Sequence, residues 1–127
     1  MRFEHFALNV ADPVAQAAWY VQHLGLRVVR AVEEPPYTRF LADEAGQVIE
    51  IYGHTKAPVP NYAAQDPLVL HLALVAADIP ATRDRLLAAG ATPAGEITQA
   101  PNGDELLFLR DPWGVALQLC KRATPLV

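Results

Sequence analysis

Two histidines, a glutamate and a glutamine recur at matched places in this 127-residue chain: His5 and His71 early in two apolar stretches, Glu50 and Gln118 within two later ones. Imidazole nitrogens with carboxylate and amide oxygens are donors that suit Zn, Ni, Co, Fe or Mn, so these residue types point to a divalent-metal site without choosing the ion. Side chains alternate along a strand, which directs His5 with Phe3 and Ala7, away from Glu4, Phe6 and Leu8. The same rule groups Glu50 with Val48 and Tyr52, and sets His71 apart from Leu70 and Leu72 and Gln118 apart from Leu117 and Leu119. Taken singly, a strand histidine is more often structural than ligating, and a strand glutamate is usually just solvated. Pairing changes that balance, because a buried carboxylate without a partner is costly and a shared cation relieves the cost.

The pairing comes from an internal repeat. Phe3 to Asn9 reads as a strand followed by a helix opening at Asp12-Pro13, and about 66 residues later Val69 to Val75 is followed by Asp78-Ile79-Pro80. An Asp N-cap accepts backbone N–H bonds, and a Pro in the first turn removes a donor that lacks a helical partner anyway. Both predicted helices stop at a glycine, Gly25 and Gly90. Three short strand-like runs follow each helix: Leu26 to Val32, Tyr37 to Ala42 and Val48 to Tyr52, then Thr92 to Thr98, Glu105 to Leu109 and Val115 to Cys120. Asn102-Gly103 is a favoured hairpin turn, and an offset of 68 residues places Glu50 on Gln118. The pattern predicts one α+β domain over 1–127, built from a βαβββ module at 1–52, a proline-bearing linker at 53–67 and a second module at 68–122.

Composition narrows the function classes. The chain is 52% apolar and 19% charged, a globular balance, and its net charge of −4 with scattered cations offers no footprint for nucleic acid. Its apolar stretches fall far short of the roughly 20 residues of a membrane span. The opening Met1-Arg2-Phe3-Glu4-His5 is no leader, and Cys120 is the single cysteine, so the expected compartment is the reducing cytoplasm.

Several other residues have a chemical reading. Tyr52 and Cys120 lie two positions beyond Glu50 and Gln118 and share their faces, which makes them candidate substrate contacts. Arg39 is the candidate partner for an anionic substrate, with an exposed sheet arginine as the plainer reading. Nothing near Cys120 in sequence argues for a nucleophilic thiolate. Trp19 and Tyr20 are expected in the core or an interface, and His23 and His54 on the surface.

The segments Phe3-Glu4-His5-Phe6-Ala7-Leu8-Asn9-Val10-Ala11-Asp12, Tyr20-Val21-Gln22-His23-Leu24-Gly25-Leu26 and Asp111-Pro112-Trp113-Gly114 before the last strand occur in the order seen in one superfamily. Across essentially its whole length the chain resembles the vicinal oxygen chelate proteins, the group of glyoxalase I, bleomycin-resistance proteins and extradiol dioxygenases. The resemblance implies a glyoxalase-like fold whose curved mixed sheets form a cleft, a small-molecule substrate, a homodimer, and metal ligands at His5, Glu50, His71 and Gln118. The chain departs from the glyoxalase pattern at the last of these, where the family usually carries Glu. An amide oxygen can ligate a metal but takes no proton at neutral pH, so the expected base becomes Glu50. An Fe(II) dioxygenase triad, which would need a carboxylate at 118, is disfavoured. Turnover of a glutathione adduct is disfavoured too, since no basic cluster awaits a peptide's carboxylates. The expected function is a divalent-metal-dependent isomerase or lyase acting on a small oxygenated metabolite through chelation and enolate stabilisation. The alternative is a metal-free ligand-binding protein of the bleomycin-resistance type.

Overall fold

The computed structural model describes residues 1–126, which divide into two compact units, Met1–Pro60 and a second beginning at Asn61. In the first, β1 (Phe6–Asn9) leads to α1 (Pro13–Leu24), then β2 (Arg27–Ala31), β3 (Arg39–Ala42) and β4 (Val48–Tyr52). Its mixed sheet runs β1-β4-β3-β2, with β1 parallel to β4 and the rest antiparallel. The second repeats the plan with β5 (Leu72–Val75), α2 (Ile79–Ala88), β6 (Thr92–Pro93), β7 (Thr98–Gln99), β8 (Glu105–Arg110) and β9 (Ala116–Lys121), ordered β5-β9-β8-β6 with β7 also on β8. Among the described residues no helix is long and apolar enough to cross a membrane.

The helix ends are built as the residues dictate. Asp12 Oδ1 accepts from Ala15 N at 3.0 Å and Asp78 Oδ1 from Ala81 N at 2.8 Å, each with Pro in the first turn. Gly25 ends α1 in the left-handed conformation, φ 75°, where a side chain would be strained. Helix α1 packs on β3 and β4, and Leu8, Leu41 and Ile51 on one sheet face are buried with Ala17 and Tyr20. In the second unit Ile79 and Leu86 of α2 are buried, as are Leu107, Leu109, Leu117 and Leu119. Each such side chain contributes about 1.5–3 kcal/mol on leaving water. The large buried strand side chains Leu8, Leu41 and Ile51, and Leu107, Leu109, Leu117 and Leu119, share one face of their sheets, and Glu50 and Gln118 lie on the opposite face.

Three boundaries differ from the sequence pattern. The first strand begins at Phe6 and the fifth at Leu72, so His5 and His71 stand one residue ahead of their strands. The run Thr92 to Thr98 is two short strands, because Pro93 lacks an N–H to continue a ladder and Gly95 takes φ 152°. The proposed linker also does not stand apart as one segment. Its start is fastened in the first unit, where Asn9 Nδ2 donates to the carbonyls of His54 (3.1 Å) and Ala57 (3.0 Å) while its Oδ1 accepts from His54 N at 2.7 Å. Its end belongs to the second, where a 3-10 turn at Tyr62–Ala64 is held by Arg110, donating to the carbonyls of Tyr62 (2.9 Å) and Gln65 (2.6 Å).

One ion pair ties the end of β9 to the β7–β8 turn. The Asp104 carboxylate accepts from Arg122 Nη1 at 2.7 Å and from Ala123 N at 2.9 Å, and these bonds, the guanidinium first, hold its pKa below the ordinary carboxylate value. A carboxyl depressed on folding adds stability above its unfolded pKa and loses it as pH falls through the folded one. Asp104→Asn is therefore expected to be less stable than the parent at pH 7 in urea unfolding, with the gap narrowing as pH falls below the ordinary aspartate range; a constant gap on acidification would refute the linkage.

Candidate metal-binding site

Parallel pairing of β1 with β4 sets Ala7 beside Glu50, and the residue two before Ala7 on the same side is His5. His5 Nε2 lies 3.1 Å from Glu50 Oε2, and the other ring nitrogen, Nδ1, meets the Glu4 carboxylate. Hydrogen bonding to Glu4, aided by the charges of Glu4 and Glu50, raises the His5 pKa above the ordinary imidazole value. Both groups remain reachable, with side-chain exposures of 35% for His5 and 17% for Glu50. A groove of about 430 Å³ opens beside His5, lined by Phe3, Glu4, His5, Phe6, Gln47 and Val48 among others.

The second unit has a related half. Ala73 pairs with Gln118, again placing the preceding histidine, His71, on the amide's face. The Nδ1–H of His71 donates to the Pro67 carbonyl at 2.8 Å, a bond that fixes the tautomer with the lone pair on Nε2. Gln118 Oε1 accepts from the Cys120 thiol at 3.3 Å, and burial pushes that thiol's pKa up, so it stays a neutral donor. Among the described residues no group of three or more His, Cys, Asp or Glu gathers. The structure thus brings His5 to Glu50 in the first unit and sets His71 and Gln118 on one face of the sheet in the second.

The spacing of His5 and Glu50 is compatible with two ligands of one divalent ion. Two donors bound to one cation at the usual 2.0–2.2 Å stand about 3.0–3.4 Å apart, and the His5–Glu50 separation of 3.1 Å falls in that range. Both imidazoles have Nδ1 held by an oxygen acceptor, the outer-shell arrangement that orients Nε2 toward a metal.

Two aromatic residues were not singled out by the sequence pattern. Phe40 pairs with Glu50 and Phe108 with Gln118, and each meets its histidine edge to face, at 5.8 Å for His5 and 5.2 Å for His71. The signal was present: Phe40 and Phe108 are separated by the same 68 positions as Glu50 and Gln118. Arg39 departs from both its readings. It is buried, 7% exposed, and pairs with Ile51 on the face away from Glu50. Its guanidinium donates to the carbonyls of Val32, Tyr37 and Thr38 and to Glu33, because a buried cation needs every donor satisfied. Trp19 and Tyr20 are buried as expected of core residues. Tyr52 remains half-buried and meets His54 edge to face at 6.0 Å, while His23 of α1 is partly buried against Trp19.

The repeated βαβββ units have counterparts among known proteins. The profile of the Glyoxalase/Bleomycin resistance protein/Dioxygenase superfamily matches residues 2–119. The chain belongs to this superfamily. Solved superfamily structures share its fold. A glyoxalase family protein from Enterococcus faecalis is 25% identical, with a TM-score of 0.72 over 94% of this chain and 97% of that one. One from Bacillus cereus is 18% identical, with a TM-score of 0.78 over 94% and 93%. A glyoxalase I mutant from Zea mays is 19% identical, with a TM-score of 0.74 over 97% of this chain and 46% of the maize chain. Among curated proteins none matches the chain.

Proposed function

We propose that this superfamily member is a divalent-metal-dependent enzyme of the glyoxalase-like type, an isomerase or lyase acting on a small oxygenated metabolite. The observation that carries the reading is the His5–Glu50 pair, with Nε2 3.1 Å from Oε2 and the far ring nitrogen held by Glu4. His5, Glu50, His71 and Gln118 would hold the ion, as Zn, Ni, Co, Fe or Mn. When bound, it would polarise a substrate carbonyl and stabilise negative charge developing on neighbouring oxygens. Glu50 is the carboxylate that moves the proton, since the amide of Gln118 cannot. Phe40, edge-on to His5 and beside Glu50, restricts the imidazole's orientation and limits water at the carboxylate. Tyr52 shares the Glu50 face and Cys120 the Gln118 face, which supports both as substrate contacts.

A homodimer belongs to this reading. Leu68, Val69 and Val75 flank His71 and are 77%, 72% and 91% exposed, and Val75 lies on the edge strand β5, an arrangement that favours burial by a second copy. Elemental analysis of protein purified without chelator, run beside sedimentation, tests the proposal: close to one divalent ion per chain is expected, and metal-free protein that takes up none on addition would overturn it. The second reading, a metal-free ligand-binding protein of the bleomycin-resistance type, draws on Gln118, whose oxygen is already engaged by the Cys120 thiol.

Gln118→Glu separates the two. A carboxylate in place of the amide is expected to tighten divalent-metal binding by about tenfold or more, because a full negative charge on the ligand oxygen adds coulombic attraction to the cation and about 1.4 kcal/mol is tenfold in affinity. Calorimetric titration with Mn²⁺ checks it, and an unchanged affinity would remove Gln118 from the ligand set.

A further inference from the structure

The open face of the first unit's sheet carries two arginines that the proposed chemistry does not use. Arg30 of β2 pairs with Phe40, which pairs with Glu50, and Arg27 pairs with Ala42, which pairs with Val48. Opposed residues in antiparallel pairs share a face, so both arginines lie on the face of Glu50. Three residues apart on a regular strand they would point to opposite sides. The register shift between Val28 and Arg30 brings them to the same one, as a bulge does when it re-aims side chains. Both are exposed, and neither makes an ion pair or hydrogen bond among the described residues, in contrast to Arg39 on the other face.

We infer that Arg30, assisted by Arg27, forms an anion-binding subsite selecting substrates with a carboxylate or phosphate several bonds from the oxygens that meet His5 and Glu50. The inference rests on the metal-site reading for where the substrate's other end lies. Two strand spacings separate Arg30 from Glu50, about 10 Å between Cα atoms, a span that the long arginine side chain and a short-chain diacid bridge together. A planar guanidinium fork with no competing partner binds either oxyanion in bidentate fashion. The other members of β2 are Val28, Val29 and Ala31, so the two arginines are the only charges this strand carries.

The test compares two matched pairs of probes by calorimetry at low ionic strength: 2-oxoglutarate against 2-oxopentanoate, and 3-phosphoglycerate against glycerate. The protein is loaded with Mn²⁺, and bound metal is measured in the same samples. The member of at least one pair that carries the second anionic group is expected to bind tenfold or more tightly, in keeping with a charged hydrogen bond. Arg30→Gln should erase that preference, and Arg30→Lys should keep part of it. Which pair shows it tells a carboxylate end from a phosphate end. Equal or undetectable binding within both pairs, or a preference that survives Arg30→Gln, overturns the subsite. Metal bound without any preference would overturn this inference alone; a preference that Arg30→Gln abolishes in protein holding no metal would support the subsite and overturn only the metal reading.

Discussion

The double variant His5→Ala, His71→Ala is expected to emerge from chelator-free purification without divalent metal, and to bind added Mn²⁺ or Zn²⁺ at least about hundredfold more weakly than the parent. Losing even an outer-shell partner costs 10–100-fold in metal affinity, and here two nitrogen donors go at once. What makes the prediction sharp is that neither histidine holds the fold together. His5 stands ahead of β1 with its ring against Phe40, and His71 ahead of β5 with one bond to a carbonyl, so neither contributes to a strand ladder or to the buried leucine layers. The variant's far-ultraviolet dichroism and urea midpoint should stay close to the parent's. Metal retained at parental stoichiometry in a folded variant would remove both histidines from the site, and with them the case for metal-dependent chemistry.

Gly114→Ala should give the largest loss of stability of any single methyl added to this chain's turns. Gly114 closes the turn before β9, with φ 89°, its N–H donating to the Asp111 carbonyl at 3.0 Å and its own carbonyl accepting from Arg110. A Cβ there would stand 2.7 Å from both the Cβ and the backbone nitrogen of Ala63. Left-handed backbone costs an L-residue roughly 1–2 kcal/mol, and overpacking against backbone that cannot step aside adds about 1–3 kcal/mol. The repeat supplies the control. Gly46 occupies the equivalent turn with φ 84°, but a Cβ there meets nothing within 4 Å, so Gly46→Ala should carry the strain alone. Urea or thermal unfolding of the two variants checks the difference; equal losses would mean that the approach to Ala63 relaxes freely. A loosened turn in Gly114→Ala would also shift the start of the strand that presents Gln118.

Both predictions start from features legible in the residues. The duplicated histidine, the Asp-Pro helix starts and the apolar alternation of the strands were enough to give two βαβββ units and to name which residues share a sheet face, because those properties are local. An Asp caps the helix it precedes, and a pleat alternates whatever lies beyond it. The Phe40 and Phe108 pair was legible in the same way, through the 68-residue offset, although aromatic residues in strands are so common that only their contact with the histidines marks them out.

The four residues with which the chain opens to view are not equal once folded. His5 and Glu50 meet because β1 runs parallel beside β4, whereas Gln118 turns its oxygen to Cys120. Strand order and register decided that, along with the burial of Arg39 and the shift that turns Arg27 and Arg30 to the Glu50 face. A single residue's slip in pairing reverses which side of a sheet a side chain occupies, and a slip of that kind is set by packing across the whole sheet rather than by the residues that flank it. The sequence alone therefore determined which chemical groups the protein carries and on which strands, and the tertiary structure decided which of them face one another.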